Sequence, residues 1–247
     1  MKISIITVVY NNLECIETTI MSVANQTHPD VEYIVIDGNS SDGTLELIKK
    51  HPNVVDILVS ENDKGIYDAL NRGISLASGD VIGFLHSDDT FYSEDVLSSV
   101  ADFFSETNCD GLYANLLYVS GSIVVRDWVA SEFGSTSLLF GWMPPHPTLY
   151  LKAKVYREIG DFSLNYKISA DYDFMHRLFS SMKFDIRYFR AYLVKMSVGG
   201  ASNASFKNIV KKMKEDYAIL NFYSKIPLFT LLFKNFRKVS QFLIRKS

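Results

Sequence analysis

The first half of the chain alternates short apolar runs with amphipathic segments. Continuous runs at Ile3–Val9, 32–36, 54–59 and 81–85 predict strands covered on both faces, because such strands lack the alternation of half-exposed ones. Between them, apolar positions at helical spacing predict helices over 16–23, 44–50 and 66–77. Strands alternating with helices indicate βαβ units, so we expect an α/β fold with a Rossmann-like, mostly parallel central sheet flanked by helices.

The pattern changes after Asp89. Helices over 96–104, 155–159 and 171–182, a hairpin turning at 120–122, and strands over 148–151 and 184–194 predict a smaller, mixed half. From residue 205 the chain is helical and increasingly basic. We therefore predict one domain over 1–204, with halves at 1–90 and 91–204, and a C-terminal helical segment over 205–247.

Composition narrows the function classes. The length of 247 residues fits one large domain or one domain with an appendage, and a net charge of -3 argues against a general nucleic-acid binder. Two cysteines, Cys15 and Cys109, cannot form a disulfide framework, which favours a reducing, cytoplasmic compartment. We interpret the amino-terminal apolar run as a strand rather than a signal peptide, and no run is long enough to span a bilayer.

The strand over 81–85 leads into two adjacent carboxylates, Asp88 and Asp89. Ligands of open α/β sheets bind at the carboxyl ends of the strands. Adjacent carboxylates repel unless they are compensated, and a hard divalent cation with room for substrate phosphates compensates them. The alternative is a polar turn with one Asp capping the next helix. Asp37, directly after the second strand, is placed to accept from a ribose or a base.

The second half offers fewer candidates. Asp171 and Asp173 open a helix, where acids often do no more than interact favourably with the helix dipole. His146 lies between two prolines that stiffen its loop, although a lone histidine is more often structural. Lys64, in a loop, is placed to meet a phosphate or is simply solvated. The chain contains neither a G-x-G-x-x-G nor a P-loop motif, which weighs against a dinucleotide cofactor and a P-loop NTPase.

Taken together, these segments resemble the family-2 glycosyltransferases, which have the GT-A fold. The resemblance covers roughly residues 1–180 and its pieces occur in the family's order. One departure is the metal-binding segment, which reads His-Ser-Asp-Asp rather than Asp-x-Asp, so the carboxylate that contacts the metal stays open between Asp88 and Asp89. The matching segments are 3–12, 33–44, 64–73, 78–89 and 170–174.

The resemblance implies an inverting transfer from a nucleotide-diphosphate sugar, taken as a UDP-sugar, to a hydroxyl of a glycan or a lipid-linked acceptor in bacterial surface-polysaccharide biosynthesis. It makes 1–90 the nucleotide-binding half and 91–204 the acceptor-side half. Asp88 would meet the ribose or diphosphate, Asp89 would bind Mn or Mg, and Asp171 would be the general base. The positions implied to line the nucleotide pocket are Thr7, Val9, Tyr10, Asp37, Lys64 and Asn71.

The chemistry suits these residue types. A sugar hydroxyl is a poor nucleophile, and a positioned carboxylate that takes its proton contributes about 10²–10⁴-fold. Inversion by a single displacement needs only one such base. We also expect His146 in the cleft, near the metal or the acceptor. A sugar nucleotidyltransferase would carry a glycine-rich triphosphate loop, which 3–12 lacks, and Asp89 and Asp171 argue against a non-catalytic glycan- or partner-binding protein.

The tail is strongly basic. Residues 225–247 contain six Lys or Arg and no acid, so the rest of the chain carries -3 - 6 = -9. Pro227 predicts a helix start, and apolar residues recur at helical spacing beyond it. One interpretation is a helix docked on the domain. The other is an amphipathic segment at an anionic membrane, which places the enzyme on the inner face of the cell membrane. The apolar positions are Phe229, Leu232, Phe233, Phe236 and Val239.

Overall fold

A computed structural model describes residues 1–198 and 206–240, with the side chains of 206 and 238–240 left out. The predicted boundary at 204, the last seven residues and the side chain of Val239 lie outside the described residues. The strands are β1 Ile3–Val9, β2 Val31–Asp37, β3 Ile57–Ser60, β4 Val81–Phe84, β5 Thr90–Phe91, β6 Gly111–Ser120, β7 Ile123–Trp128, β8 Tyr150–Lys152 and β9 Ile186–Ser197. The helices are α1 Ile16–Ala24, α2 Thr44–Ile48, α3 Ile66–Leu76, α4 Val96–Thr107, α5 Ala153–Ile159, α6 Ala170–Ser181, α7 Phe206–Tyr223 and α8 Pro227–Ser240.

The described strands form one sheet in the order β3-β2-β1-β4-β8-β6-β9-β5, with β7 paired to β6. The first four strands are mutually parallel, as predicted. β8 runs antiparallel between β4 and β6, while β9 is parallel to β6 and antiparallel to β5. The predicted hairpin is confirmed as β6 and β7. The expected α/β fold, with a parallel first half and a mixed second half, is therefore confirmed.

Apolar side chains cover both faces of the parallel half. Ile3 and Ile5 of β1 pack in one core cluster with α1 and α4, whereas Ile6 and Val8 pack in another with α3 and α6. Because successive residues of a strand point to opposite faces, a strand between two cores carries apolar side chains on both faces. This explains why the run over 3–9 shows no alternation.

Several predicted boundaries shift. β3 begins at Ile57 rather than at 54, because the N–H groups of Val54 and Val55 turn back to the carbonyl of His51. α2 ends at Ile48 rather than at 50, and α3 ends at Leu76 rather than at 77.

The C-terminal helices pack against α6. Leu231 and Lys234 of α8 are buried, and the Lys234 ammonium lies 2.7 Å from the carboxylate of Asp216 on α7. It also lies 3.1 Å from the ring centroid of Tyr172 on α6. The predicted helix start at Pro227 is confirmed. No helix within the described ranges combines the length and hydropathy that a bilayer span needs.

Candidate active site

The carboxyl ends of β1 and β2 form one side of the candidate site. Val9 and Asp37 are register partners at this edge. Asp37 is fully buried, and its carboxylate accepts from the Ser60 hydroxyl at 2.6 Å and from the Ser40 N–H at 3.1 Å. Tyr10, by contrast, exposes 64% of its surface at the same edge. A fixed acceptor beside an exposed aromatic ring suits recognition of a nucleoside.

The backbone just after β2 passes close to the loop over 63–65, and only glycine fits there without a shift of its neighbours. A Cβ on Gly38 would lie 2.7 Å from a carboxylate oxygen of Asp63 and 3.3 Å from the ring of Tyr10. Lys64 follows Asp63, and its carbonyl accepts from the ammonium of Lys167 at 3.2 Å. The loop over 63–65 therefore lies next to the predicted nucleoside positions and touches the segment that leads into α6.

Two predicted nucleotide positions have internal contacts. The Thr7 hydroxyl donates to the Leu85 carbonyl at 2.6 Å and accepts from the Tyr33 hydroxyl at 3.0 Å. The Asn71 amide donates to the Phe162 carbonyl at 2.9 Å and accepts from the Phe162 N–H at 2.8 Å. The first bond connects β1 to the residue that follows β4, and the pair of bonds from Asn71 connects α3 to the loop before α6. Their roles toward a nucleotide stay predictions.

Asp88 and Asp89 lie where β4 ends, and only Asp89 is fully buried. One Asp89 oxygen, Oδ1, accepts from the Ser197 N–H at 3.1 Å, and Oδ2 has no hydrogen-bond partner among the described residues. Burial, reinforced by the charge of Asp88, raises the pKa of Asp89 well above its usual range. A buried carboxylate oxygen without a donor is what a cation would compensate.

The carboxylates at this strand end fit a divalent cation whose remaining ligands come from the substrate. No group of three or more His, Cys, Asp or Glu side chains arranged for a metal occurs within residues 1–198 and 206–240. Mg²⁺ and similar ions, however, are often bound by one or two carboxylates together with substrate phosphates. Asp89, with Asp88 beside it, offers that arrangement.

Two histidine rings lie close together near the carboxyl end of β4. The rings of His86 and His146 have centroids 6.2 Å apart, and His146 packs against Phe84 and Phe162 at 5.4 and 5.5 Å. Burial lowers the pKa of His146 to about 4, opposed by the charge of Asp171, so the imidazole is neutral near pH 7. Burial also lowers the pKa of His86, opposed by Asp88 and then Asp171.

His146 is buried among aromatic rings and next to His86, and its predicted place near the metal or the acceptor stays a prediction. His86 was missed by the sequence reasoning. Its signal was present, since it precedes Asp88 and Asp89 at the same strand end.

Asp171 stands in the first turn of α6, half-buried. The Tyr67 hydroxyl on α3 lies 3.0 Å from its Oδ1 and 2.8 Å from the Ile168 carbonyl. The neighbouring acid, Asp173, instead pairs with Arg177 at 3.0 Å. Asp171 is therefore the acid of this turn that shares surroundings with the two histidines.

A carboxylate from another helix holds the segment that leads into α6. Glu215 of α7 accepts from the backbone N–H groups of Lys167, Ile168 and Ser169 at 3.1, 2.8 and 3.0 Å. No side-chain hydrogen bond from Ser169 caps the helix. Glu215 therefore holds the backbone just before Asp171, and these three N–H groups do not depend on the Asp171 carboxylate.

An aromatic and cationic wall stands on the acceptor-side half. The guanidinium of Arg126 lies 4.6 Å from the ring centroid of Tyr118 and 5.0 Å from that of Trp128. Burial raises the pKa of Tyr118, Arg126 lowers it, and the charges of Asp89 and Asp171 raise it. The wall thus holds a guanidinium against two aromatic rings of the β6–β7 pair. No sequence motif marked it, because the three residues meet only through the pairing of β6 with β7.

Comparisons with known proteins agree with this geometry. The sequence profile described as Glycosyl transferase family 2 matches residues 4–193. A PGL/p-HBAD biosynthesis glycosyltransferase of Mycobacterium bovis is 34% identical over 190 residues, covering 74% of this chain and 72% of that protein. The putative teichuronic acid biosynthesis glycosyltransferase TuaG of Bacillus subtilis is 33% identical over 110 residues, 43% of each chain.

Solved structures share the fold. S. aureus TarS 1-349 in complex with UDP-GlcNAc matches with a TM-score of 0.71 and 20% identity over 96% of this chain and 73% of that one. The chain spans 44% of a longer TarS chain. The mannosyltransferase PcManGT from Pyrobaculum calidifontis, in complex with GDP-Man and Mn2+, matches with a TM-score of 0.66 and 13% identity over 95% and 68%. These likenesses show a GT-A fold.

Proposed function

This chain belongs to glycosyl transferase family 2, and we propose that it transfers a sugar, with inversion, from a UDP-sugar to a hydroxyl of a glycan or a lipid-linked acceptor in surface-polysaccharide biosynthesis. One observation carries the proposal. The Tyr67 hydroxyl of α3, a helix of the first half of the chain, lies 3.0 Å from Oδ1 of Asp171, the acid that opens α6. This contact supports a site in which the proposed base lies beside the proposed nucleotide-binding half.

Donor binding follows from the first half of the chain. The exposed ring of Tyr10 would stack on the base, and Asp37 would accept from the nucleoside beside it. The implied positions Val9 and Lys64 lie at the same edge. Asp89, with Asp88 and the donor diphosphate, would hold Mn²⁺ or Mg²⁺, which when bound neutralises charge on the departing nucleoside diphosphate.

Transfer is the task of Asp171. Its carboxylate would take the proton of the acceptor hydroxyl while the acceptor oxygen bonds to the anomeric carbon and the bond to the diphosphate breaks. The Tyr67 hydroxyl, within 3.0 Å of Oδ1, orients the carboxylate and leaves its second oxygen for the acceptor. Because the His146 imidazole is neutral, it adds no positive charge that would lower the basicity of the Asp171 carboxylate.

We also propose the organisation and site of action of the protein. Residues 1–90 bind the nucleotide, 91–204 bind the acceptor, and 205–247 form a helical segment. Contact of 225–247 with anionic lipid would hold a cytoplasmic enzyme at the inner face of the cell membrane, beside a lipid-linked acceptor.

Hydrolysis of nucleotide sugars tests the proposal without knowledge of the acceptor. A panel of UDP- and GDP-sugars is incubated with the full chain, with and without Mn²⁺, and the released nucleoside diphosphate is measured. We expect slow, Mn²⁺-stimulated hydrolysis of a UDP-sugar. Absence of release from every donor, together with no thermal stabilisation by UDP and Mn²⁺, would overturn the proposal.

A further inference from the structure

The last helix carries two opposite faces, and only one of them is covered. Thr230, Leu231 and Lys234 are buried against the body of the protein. The contact is close, because a Cβ on Gly141 would lie 2.5 Å from the backbone nitrogen of Lys234. Gly141 also has a φ of +65°, which favours glycine. α8 is therefore docked on the domain, but through a face that includes Leu231 and Lys234 rather than through the apolar stripe that the sequence pattern predicted.

The opposite face of α8 is apolar and exposed. Its members recur at spacings of three, four and one, so they share one side of the helix. Leu232 and Phe236 are 62% and 76% exposed. The ring of Phe140, from the loop that leads to His146, joins this side at 6.2 Å from Phe229 and 5.6 Å from Phe233. We call this side the outer apolar face; it consists of Phe140, Leu228, Phe229, Leu232, Phe233 and Phe236.

The charges around this face are of one sign. Residues 206–240 contain eight Lys or Arg and two acids. Both acids face inward: Glu215 accepts backbone N–H groups before α6, and Asp216 pairs with Lys234. Lys225 and Arg237, which flank the face in sequence, are exposed. A second copy of the chain would bring two positive surfaces together, whereas anionic lipid headgroups complement the charge.

We propose that the outer apolar face inserts into the surface of an anionic membrane while the buried face of α8 stays docked on the enzyme. The proposal rests on the membrane contact proposed above for residues 225–247 and assigns it to one face. Amphipathic helices with aromatic residues on one side and Lys or Arg beside them bind in this way. Docking and membrane contact thus use different faces of α8, and Phe140 makes the surface composite.

The test is sedimentation of the full chain with vesicles of phosphatidylglycerol and phosphatidylcholine in equal parts, at low ionic strength. The variant Leu232→Ser/Phe236→Ser removes two exposed side chains and no docking contact. We expect its vesicle affinity to fall by about tenfold or more, because burial of large apolar side chains drives such partitioning. The matched control is Ile123→Ser/Met182→Ser, which removes two equally exposed apolar residues elsewhere and should bind as the parent does.

The outcomes separate the claims. Equal binding by the parent and by Leu232→Ser/Phe236→Ser would overturn the outer apolar face as the contact. A parent that ignores anionic vesicles, or binds neutral ones equally, would overturn membrane contact altogether. If the parent is a dimer that does not bind vesicles and Leu232→Ser/Phe236→Ser is a monomer, the outer apolar face is instead the contact with a second copy of the chain, and the proposal fails. UDP-sugar hydrolysis in solution is expected to be unchanged in the variant, so failure here is distinct from failure of the glycosyltransferase activity.

Discussion

Replacing Glu215 by Gln should lower the turnover number at least about tenfold and should lower the free energy of unfolding only modestly. Glu215 lies on α7, yet its carboxylate accepts from three successive N–H groups just before Asp171, at 2.8–3.1 Å. On its other side, this segment is held by Tyr67, which contacts both the Ile168 carbonyl and Asp171. Glu215 is therefore a positioning residue for the proposed base.

The size of the effect follows from the bonds that change. A glutamine keeps one accepting oxygen and replaces the other with a donor, so at least one of the three N–H groups loses its partner. An unsatisfied donor costs about 1–3 kcal/mol, and the half-buried setting of Glu215 favours the lower end. Displacement of a catalytic group by about 1 Å costs on the order of 10²-fold in rate. We expect turnover to fall at least about tenfold, with little change in donor KM.

The assay compares this variant with Glu32→Gln. Glu32 is buried where Glu215 is half-buried, and it too accepts several hydrogen bonds, from Lys2, Ser4 and Ser78. It lies toward the opposite, amino-terminal edge of the sheet. Both variants should unfold at lower temperature. Only Glu215→Gln should lose kcat for UDP-sugar hydrolysis. If both variants lose kcat equally, or neither does, Glu215 has a purely structural role.

Two further predictions concern buried groups. Asp89→Asn keeps an acceptor for the Ser197 N–H and removes an uncompensated buried charge, so without metal it should unfold at the same or a higher temperature than the parent. The same variant should lose Mn²⁺-dependent stabilisation by UDP, and calorimetric titration matching the parent would refute the metal role. His176 has a pKa of about 4 in the folded protein, lowered by burial and by Lys234. Below about pH 6.5 the unfolded chain binds a proton at this histidine that the folded chain does not bind. The free energy of unfolding therefore falls as the pH falls, by up to about 1.4 kcal/mol per pH unit. Urea unfolding at pH 7 and pH 5 should therefore show a smaller acid loss for His176→Phe than for the parent; identical losses would contradict this.

How far the sequence reaches is clearest at individual residues. Asp37 and Asp89 could be placed at the ligand edge, because a buried parallel strand has a readable pattern and its carboxyl end is where ligands bind. His86 lay within reach of the same argument. The contacts of Tyr67 and Glu215 could not be predicted in this way. Tyr67 is 104 residues from Asp171 in sequence and Glu215 is 46 residues from Ser169, and hydrophobic periodicity does not identify such distant partners.

The tail shows a second limit. Its helical spacing predicted an apolar side and left docking and membrane contact as alternatives. The structure docks α8 through Leu231 and Lys234, a pair that includes a charged residue, and leaves the side with Leu232 and Phe236 exposed. A charged residue in a docking face could not be predicted, because its partner, Asp216, comes from another helix. Deletion of 225–247 would consequently remove packing as well as the outer apolar face.

Turnover by Asp171→Asn tests the central claim most directly. The amide fills the same space, and the adjacent N–H groups remain capped by Glu215, so stability and binding of UDP with Mn²⁺ should match those of the parent. Because the amide cannot take a proton, kcat for UDP-sugar turnover should fall by about 10²-fold or more. Parental turnover in a folded variant that binds UDP would contradict the assignment of Asp171 as the base.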